Sequence, residues 1–270
     1  MTEDLPPADQ QPLTDIDTTV PHSARIWNYW LGGRDNYEVD RIAGDQYKEI
    51  FPGIVDVARN SRYFLVRVVR YLAGEADVRQ FLDIGTGLPT VDNTHEVAQR
   101  AAPPCRIVYV DNDPLVLAHA RALLTSTPEG ACDYVNADLS DPPAVLSAAA
   151  TMLDFSQPIA LMLMGIMGHS PDEQAYPIVR RLLDGLPSGS YLALYDGADV
   201  NDAFNEAQRG YNASGAVPYY LRSPDRIGQF FDGLDLVEPG VVPVPQWRPD
   251  LSPLGAAANV YAYGGAGRKR

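Results

Sequence analysis

Apolar residues follow two rhythms along this chain, a helical one before Gly74 and short buried runs after it. Ile26, Trp27, Tyr29, Trp30 and Leu31 crowd into one short helical stretch that Gly32-Gly33 can stop. A second helix is predicted over residues 37–50, ended by Pro52, and a third over 55–72. In the third, Phe64, Leu65, Val68 and Val69 form the inward stripe, and Arg59, Arg62 and Arg70 read as a solvated face. Beyond Gly74, strands are predicted at 81–84, 106–110, 133–135, 159–164 and 191–195, with helices at 94–100, 114–124, 143–153 and 172–183 between them. Strands alternating with helices at this spacing imply an α/β fold, a parallel sheet with helices on both faces. Two further strands, 234–237 and 260–263, flank a connection holding Pro243, Pro245, Pro249 and Pro253, which suits antiparallel edge strands better than a helical crossover.

The pattern divides the chain of 270 residues into three stretches. Residues 1–20 carry Glu3, Asp4, Asp9, Asp15 and Asp17 and no Lys or Arg, and read as a flexible acidic leader. Residues 21–75 form an N-terminal helical cap within the same domain as the sheet, which occupies 76–270. The balance of 21 basic against 35 acidic residues, net −14, argues against a nucleic-acid or anionic-membrane partner for the surface as a whole. Cys105 and Cys132 lack a CxxC partner or a His at ligand spacing, so they read as buried thiols and no metal is expected. Neither a signal sequence nor a membrane-length apolar run is visible, and the expected location is the cytoplasm.

In an open parallel sheet, ligands bind beyond the carboxyl ends of the strands. The first strand ends in Asp83-Ile84-Gly85-Thr86-Gly87, where glycines let the backbone turn tightly and approach a ligand. The second ends at Asp111, 28 residues after Asp83, where a carboxylate can accept from ribose hydroxyls. The third ends at Asp138-Leu139. A dinucleotide fingerprint would continue to a third glycine, whereas this turn runs Gly87-Leu88-Pro89-Thr90. Asp83 is also badly placed beside a diphosphate. An ammonium and a sulfonium suit it, and S-adenosylmethionine has both, together with a ribose for Asp111 and an adenine amine for Asp138.

These residues resemble the nucleoside-site motifs of class I S-adenosylmethionine-dependent methyltransferases: Phe81 to Gly87, then Val108-Tyr109-Val110-Asp111-Asn112-Asp113, then Asn136-Ala137-Asp138-Leu139. The long run from His22 through Ile26-Trp27-Asn28-Tyr29-Trp30 to Tyr37, with Leu88-Pro89-Thr90 and Asn93-Thr94-His95-Glu96, is similar to a bacterial S-adenosyl methyltransferase family catalogued without a known function. The resemblance spans roughly residues 21–268. It implies a Rossmann-like class I methyltransferase fold, a mostly parallel seven-stranded sheet closed by an antiparallel C-terminal hairpin, under the helical cap. It further implies that Asp83 meets the methionine amino group and that the Gly85-Thr86-Gly87 turn lines methionine and ribose. Asp111 would hold the ribose, Asn112 would flank the adenine, and Asp138 with the Leu139 backbone would read the adenine edge.

The activity so implied is methyl transfer to a small-molecule acceptor, with S-adenosylhomocysteine as product. Tyr29 is placed to reach the sulfonium, a cation–π contact of about 1 kcal/mol. Of His22, His95, His119 and His169, His169 lies after the fourth strand, where substrate-facing residues gather, and is the candidate general base. His95 and Asn93, in the helix entry behind the glycine turn, would support the cofactor. Two rival readings stand beside this one. One is a non-catalytic protein that senses S-adenosylmethionine or S-adenosylhomocysteine; the other is a nicotinamide-dependent oxidoreductase.

Overall fold

The computed structural model describes residues 17–123, 125–250 and 260–270. Five parallel strands, β1 (Gln80–Ile84), β2 (Arg106–Asp111), β3 (Ala131–Asn136), β4 (Ala160–Met164) and β5 (Tyr191–Gly197), lie in the order β3-β2-β1-β4-β5. The order reverses between β1 and β4, which opens a crevice at their carboxyl ends. Strand β8 (Ala262–Arg268) runs antiparallel to β5. Its other edge carries two short segments, β6 (Asp235–Leu236) and β7 (Val242–Pro243). The predicted seventh position is thus filled by one edge strand broken in two, giving eight strands among the described residues. Pro239 and Pro243 donate no ladder hydrogen bond, so this edge cannot pair continuously.

Successive side chains on a strand point to opposite faces, and this alternation sorts the core. Phe81, Ile107, Tyr109, Met162, Ala193 and Tyr195 fall on one face, under α1 (Ser23–Trp30), α2 (Glu38–Ile50), α3 (Ile54–Gly74), α4 (Thr94–Ala101) and α8 (Asp202–Asn212). Leu82, Ile84, Val108, Val110, Leu161, Leu163, Leu192 and Leu194 fall on the other, against α6 (Pro142–Ala149), α7 (Asp172–Asp184) and the short α9 (Pro224–Gly228). Helix α5 (Pro114–Leu123) follows β2, with the Asp113 carboxylate accepting from the Leu115 N–H at 2.8 Å. Helix α3 is the main strut of the cap. Its Phe64, Val68, Val69 and Leu72 are fully buried, each side chain contributing about 1.5–3 kcal/mol. The small Ala160, Ala193 and Ala266 let it lie close to the sheet.

A buried ion pair joins the first two helices. The Arg25 guanidinium lies 2.9 Å from the Asp40 carboxylate, and neither side chain meets solvent appreciably. Asp40 also accepts from the backbone N–H groups of His22 and Tyr37, each at 2.9 Å. Arg25 further donates to the carbonyls of Asp17 at 3.0 Å and Val20 at 2.6 Å. Residues 17–20, the end of the stretch read as a leader, are therefore held against the cap; residues 1–16 lie outside the described residues, as does Pro253. No helix among the described residues is long and apolar enough to cross a membrane.

Candidate functional site

By the same alternation, Asp83 and Asp111 share the face that carries the cap. The turn after β1 needs its glycines. Gly85 (φ +71°) and Gly87 (φ +63°) occupy the left-handed region, and a Cβ on Gly85 would sit 2.3 Å from Cγ1 of Ile166. Above the turn lies a cavity of about 490 Å³, within the range of small-molecule sites. Asp83, Gly85, Thr86, Gly87, Asp111, Asn112, Asp138, Leu139 and His169 all line it.

Asp83 is buried, and its carboxylate accepts from Thr94 Oγ1 at 2.6 Å. Burial pushes its pKa up to about 6, against the downward pull of the Thr94 hydroxyl and the Arg62 guanidinium. Asp111 accepts from the Gly87 N–H at 3.1 Å and the Asp113 N–H at 3.0 Å, and burial raises its pKa as well. Asp138 lies nearer solvent. Its hydrogen bond from the Ser140 N–H at 2.7 Å holds it below the usual carboxylate range, and Asn112 Nδ2 donates to it at 3.4 Å. The Thr86 hydroxyl is buried without a hydrogen-bond partner, which leaves it available to a bound molecule.

His169 ends the 3₁₀ turn Met167–His169 after β4. Its Nδ1 lies 2.9 Å from the Pro218 carbonyl, which can only accept, so Nδ1 carries the proton and Nε2 keeps its lone pair. Burial lowers the pKa of the ring. Gly168 is required beside it, because a Cβ there would meet the Tyr219 ring at 2.1 Å. That ring stands edge-on to His169, centroids 5.1 Å apart. A buried network fixes this corner: Arg222 pairs with Asp196 at 3.0 Å and Asp172 at 2.7 Å, and Asp196 accepts from the Tyr219 hydroxyl and the Gly168 N–H, each at 3.2 Å.

Tyr29 departs from expectation. It does not line the cavity; its hydroxyl donates to Asp45 at 2.7 Å and Lys48 sits over its ring, because α2 packs on the side of α1 that carries it. Arg62 departs in the other direction. Helical spacing groups it with Arg59 and Arg70 on a solvated face, yet it lines the cavity and donates to the carbonyls of Val91 and Asp92 and to Asn93. Its place three residues before Leu65, beside the apolar stripe, was the available signal. Helix α8 was not anticipated either, although Asn201 caps it through the Phe204 N–H at 2.9 Å and Phe204, Ala207, Gln208 and Tyr211 follow helical spacing. His95 is a buried core histidine, with Nδ1 2.9 Å from the Tyr109 hydroxyl.

The model of the S-adenosyl methyltransferase family matches residues 9–270. A DUF574 family protein from Streptomyces avermitilis is 44% identical and superposes with a TM-score of 0.90, over 94% of this chain and 99% of that one. A protein from Thermobifida fusca described as a methyltransferase is 40% identical, with a TM-score of 0.86 over 94% and 97% of the two chains. Human N-acetylserotonin methyltransferase, crystallised with S-adenosylmethionine, shares the fold at 12% identity, with a TM-score of 0.51 over 86% of this chain and 57% of that one. No match was found among curated proteins. The family match decides for a methyltransferase over the oxidoreductase and the non-catalytic readings. The chain belongs to the S-adenosyl methyltransferase family, an enzyme of the class I methyltransferase fold whose cofactor is S-adenosylmethionine.

Proposed function

We propose that this enzyme transfers the cofactor's methyl group to a small molecule enclosed between the sheet rim and the cap formed by residues 21–75. The observation that carries this reading is the convergence of Asp83, Asp111 and Asp138 on one cavity whose opposite wall is built from cap helices.

The residues present fit the cofactor. Burial raises the pKa of the Asp83 carboxyl, and a bound ammonium supplies a counter-charge that favours its carboxylate. The unpartnered Thr86 hydroxyl and the open space above Gly87 accommodate the adjoining methionine and ribose. Asp111 takes the ribose hydroxyls, Asn112 flanks the adenine, and Asp138 with the Leu139 backbone meets the adenine edge. When bound, S-adenosylmethionine supplies an electrophilic methyl on a sulfonium and leaves as S-adenosylhomocysteine. The chain's own task is to hold the acceptor in line, at about 3 Å, and to exclude water. His169 stands as the group that takes a proton, at Nε2.

Calorimetric titration tests the rim. S-adenosylmethionine and S-adenosylhomocysteine should bind and NAD should not. Asp111→Ala should weaken S-adenosylmethionine by about 1–3 kcal/mol, the loss of charge-assisted hydrogen bonds; unchanged affinity removes the ribose assignment. With a radiolabelled methyl group and a cell extract, label should appear in the small-molecule fraction. Label confined to protein or nucleic acid would overturn the acceptor class.

A further inference from the structure

The two walls of the cavity differ in charge. Asp83, Asp111 and Asp138 stand on the rim, while the cap side presents Trp27, Trp30, Tyr47, Leu65, Phe204 and Tyr211. Among the described residues, Arg62 is the one formally charged side chain that helices α1, α2, α3 and α8 contribute to this lining, and its guanidinium is engaged by the 91–93 loop. His22, just before α1, sits 3.4 Å from Asp113 beside the rim.

The polar atoms of Trp30, Tyr47 and Gln208 on this wall are engaged within the protein, while the Ser61 hydroxyl is buried there without a hydrogen-bond partner. Trp30 Nε1 donates to the Gly44 carbonyl at 3.2 Å, the Tyr47 hydroxyl donates to Gln208 Oε1 at 3.1 Å, and Gln208 Nε2 donates to Asn212 Oδ1 at 2.9 Å. The rings thereby remain as apolar surface. A charged acceptor would leave water here with no counter-charge but the engaged Arg62 guanidinium, and a polyhydroxylated one would leave most of its hydroxyls unpaired. Aromatic surfaces favour a planar aromatic guest through offset and edge-on contacts. At the end of this wall, Nε2 of His169 offers an acceptor lone pair, while the Tyr219 hydroxyl is engaged by Asp196 and the Gly197 N–H.

The geometry points to a neutral, planar aromatic compound bearing a hydroxyl as the methyl acceptor, its ring against the cap wall and its hydroxyl at His169. This rests on the proposed methyl transfer and names its substrate class. As a lone pair of the hydroxyl oxygen forms the O–CH₃ bond, the S–CH₃ bond breaks and its electron pair stays on sulfur. The hydroxyl proton passes to Nε2 of His169 and from there to solvent. One positive charge leaves sulfur and one appears on the imidazolium, so charge balances.

The test uses the full chain saturated with S-adenosylhomocysteine and four probes followed by tryptophan fluorescence and calorimetry: 2-naphthol, 2-naphthoate, 2-naphthylmethylammonium and decalin-2-ol. Naphthol should bind at least about tenfold more tightly than either charged analogue, the order expected for burying an unpaired charge, and more tightly than the saturated alcohol. With S-adenosylmethionine present, His169→Gln should lower kcat for naphthol by about a hundredfold, as loss of a general base does, while KM and the naphthol Kd stay within about threefold. If S-adenosylhomocysteine itself fails to bind, the proposed function falls. If it binds but naphthol does not, or a charged or saturated probe equals naphthol, or His169→Gln leaves kcat unchanged, this inference alone falls.

Discussion

The rim and the cap wall of the cavity are built by opposite means. At the rim, Asp83, Gly85 and Gly87 lie within five residues of one another, and Asp111 reaches back to the Gly87 N–H. The cap wall is assembled across the chain: Tyr47 meets Gln208, 161 positions away, and packs edge-on to Trp30, Phe204 and Tyr211. One side presents carboxylates on short, strand-end segments. The other presents apolar surface from four helices. Charge recognition needs a few donors and acceptors at fixed spacing, whereas an aromatic wall exists only once distant elements pack.

That contrast can be broken first at the cap's foundation. Asp40→Ala strands the buried Arg25 without its carboxylate and should cost about 3–5 kcal/mol, read by urea unfolding; a loss under 1 kcal/mol would mean that the cap is not held by this pair. At the rim, the sign is reversed. The Asp83 pKa stands at about 6 against an ordinary 3.8, so its contribution to stability is full below about pH 3.8 and is lost as pH rises through about 6. Asp83→Asn should therefore stabilise the cofactor-free protein at pH 7, by up to about 3 kcal/mol, while weakening S-adenosylmethionine. Because a bound ammonium favours the carboxylate, wild-type protein should release about half a proton on cofactor binding near pH 6, measured by calorimetry in buffers of different ionisation enthalpy. The variant should release none.

A smaller effect should follow Gly85→Ala. Its backbone conformation and the Ile166 contact together should cost about 1–3 kcal/mol, and cofactor affinity should fall further than acceptor-probe affinity. The smallest is at Tyr29. Its hydroxyl pairs with Asp45 at the surface, so Tyr29→Phe should change stability by under about 0.5 kcal/mol and leave S-adenosylmethionine affinity unchanged; a marked loss of affinity would return Tyr29 to the site.

The rim was legible because strand alternation and strand ends are local properties. Asp83, Asp111 and Asp138 could be located by reading where apolar runs stop. Helical spacing separates Tyr29 from Trp27 and Trp30 without saying which neighbour each face meets, and the structure sets it against α2. Arg62 borders the apolar stripe of α3, and spacing alone does not decide whether such a residue turns to water or over the edge of a cavity. The broken edge strand depended on where Pro239 and Pro243 fall against β8, a register the one-dimensional pattern does not contain.

The sequence by itself determined the alternating α/β plan, the glycine turn and the acidic strand ends, because each follows from period, backbone freedom or charge within a few residues. Only the tertiary structure decided that Arg25 anchors the cap, that Tyr29 faces α2, that Arg62 lines the cavity and that α8 completes the aromatic wall. Those outcomes depend on which surfaces remain to be buried after the sheet has formed, and that is settled by packing between residues far apart in the chain.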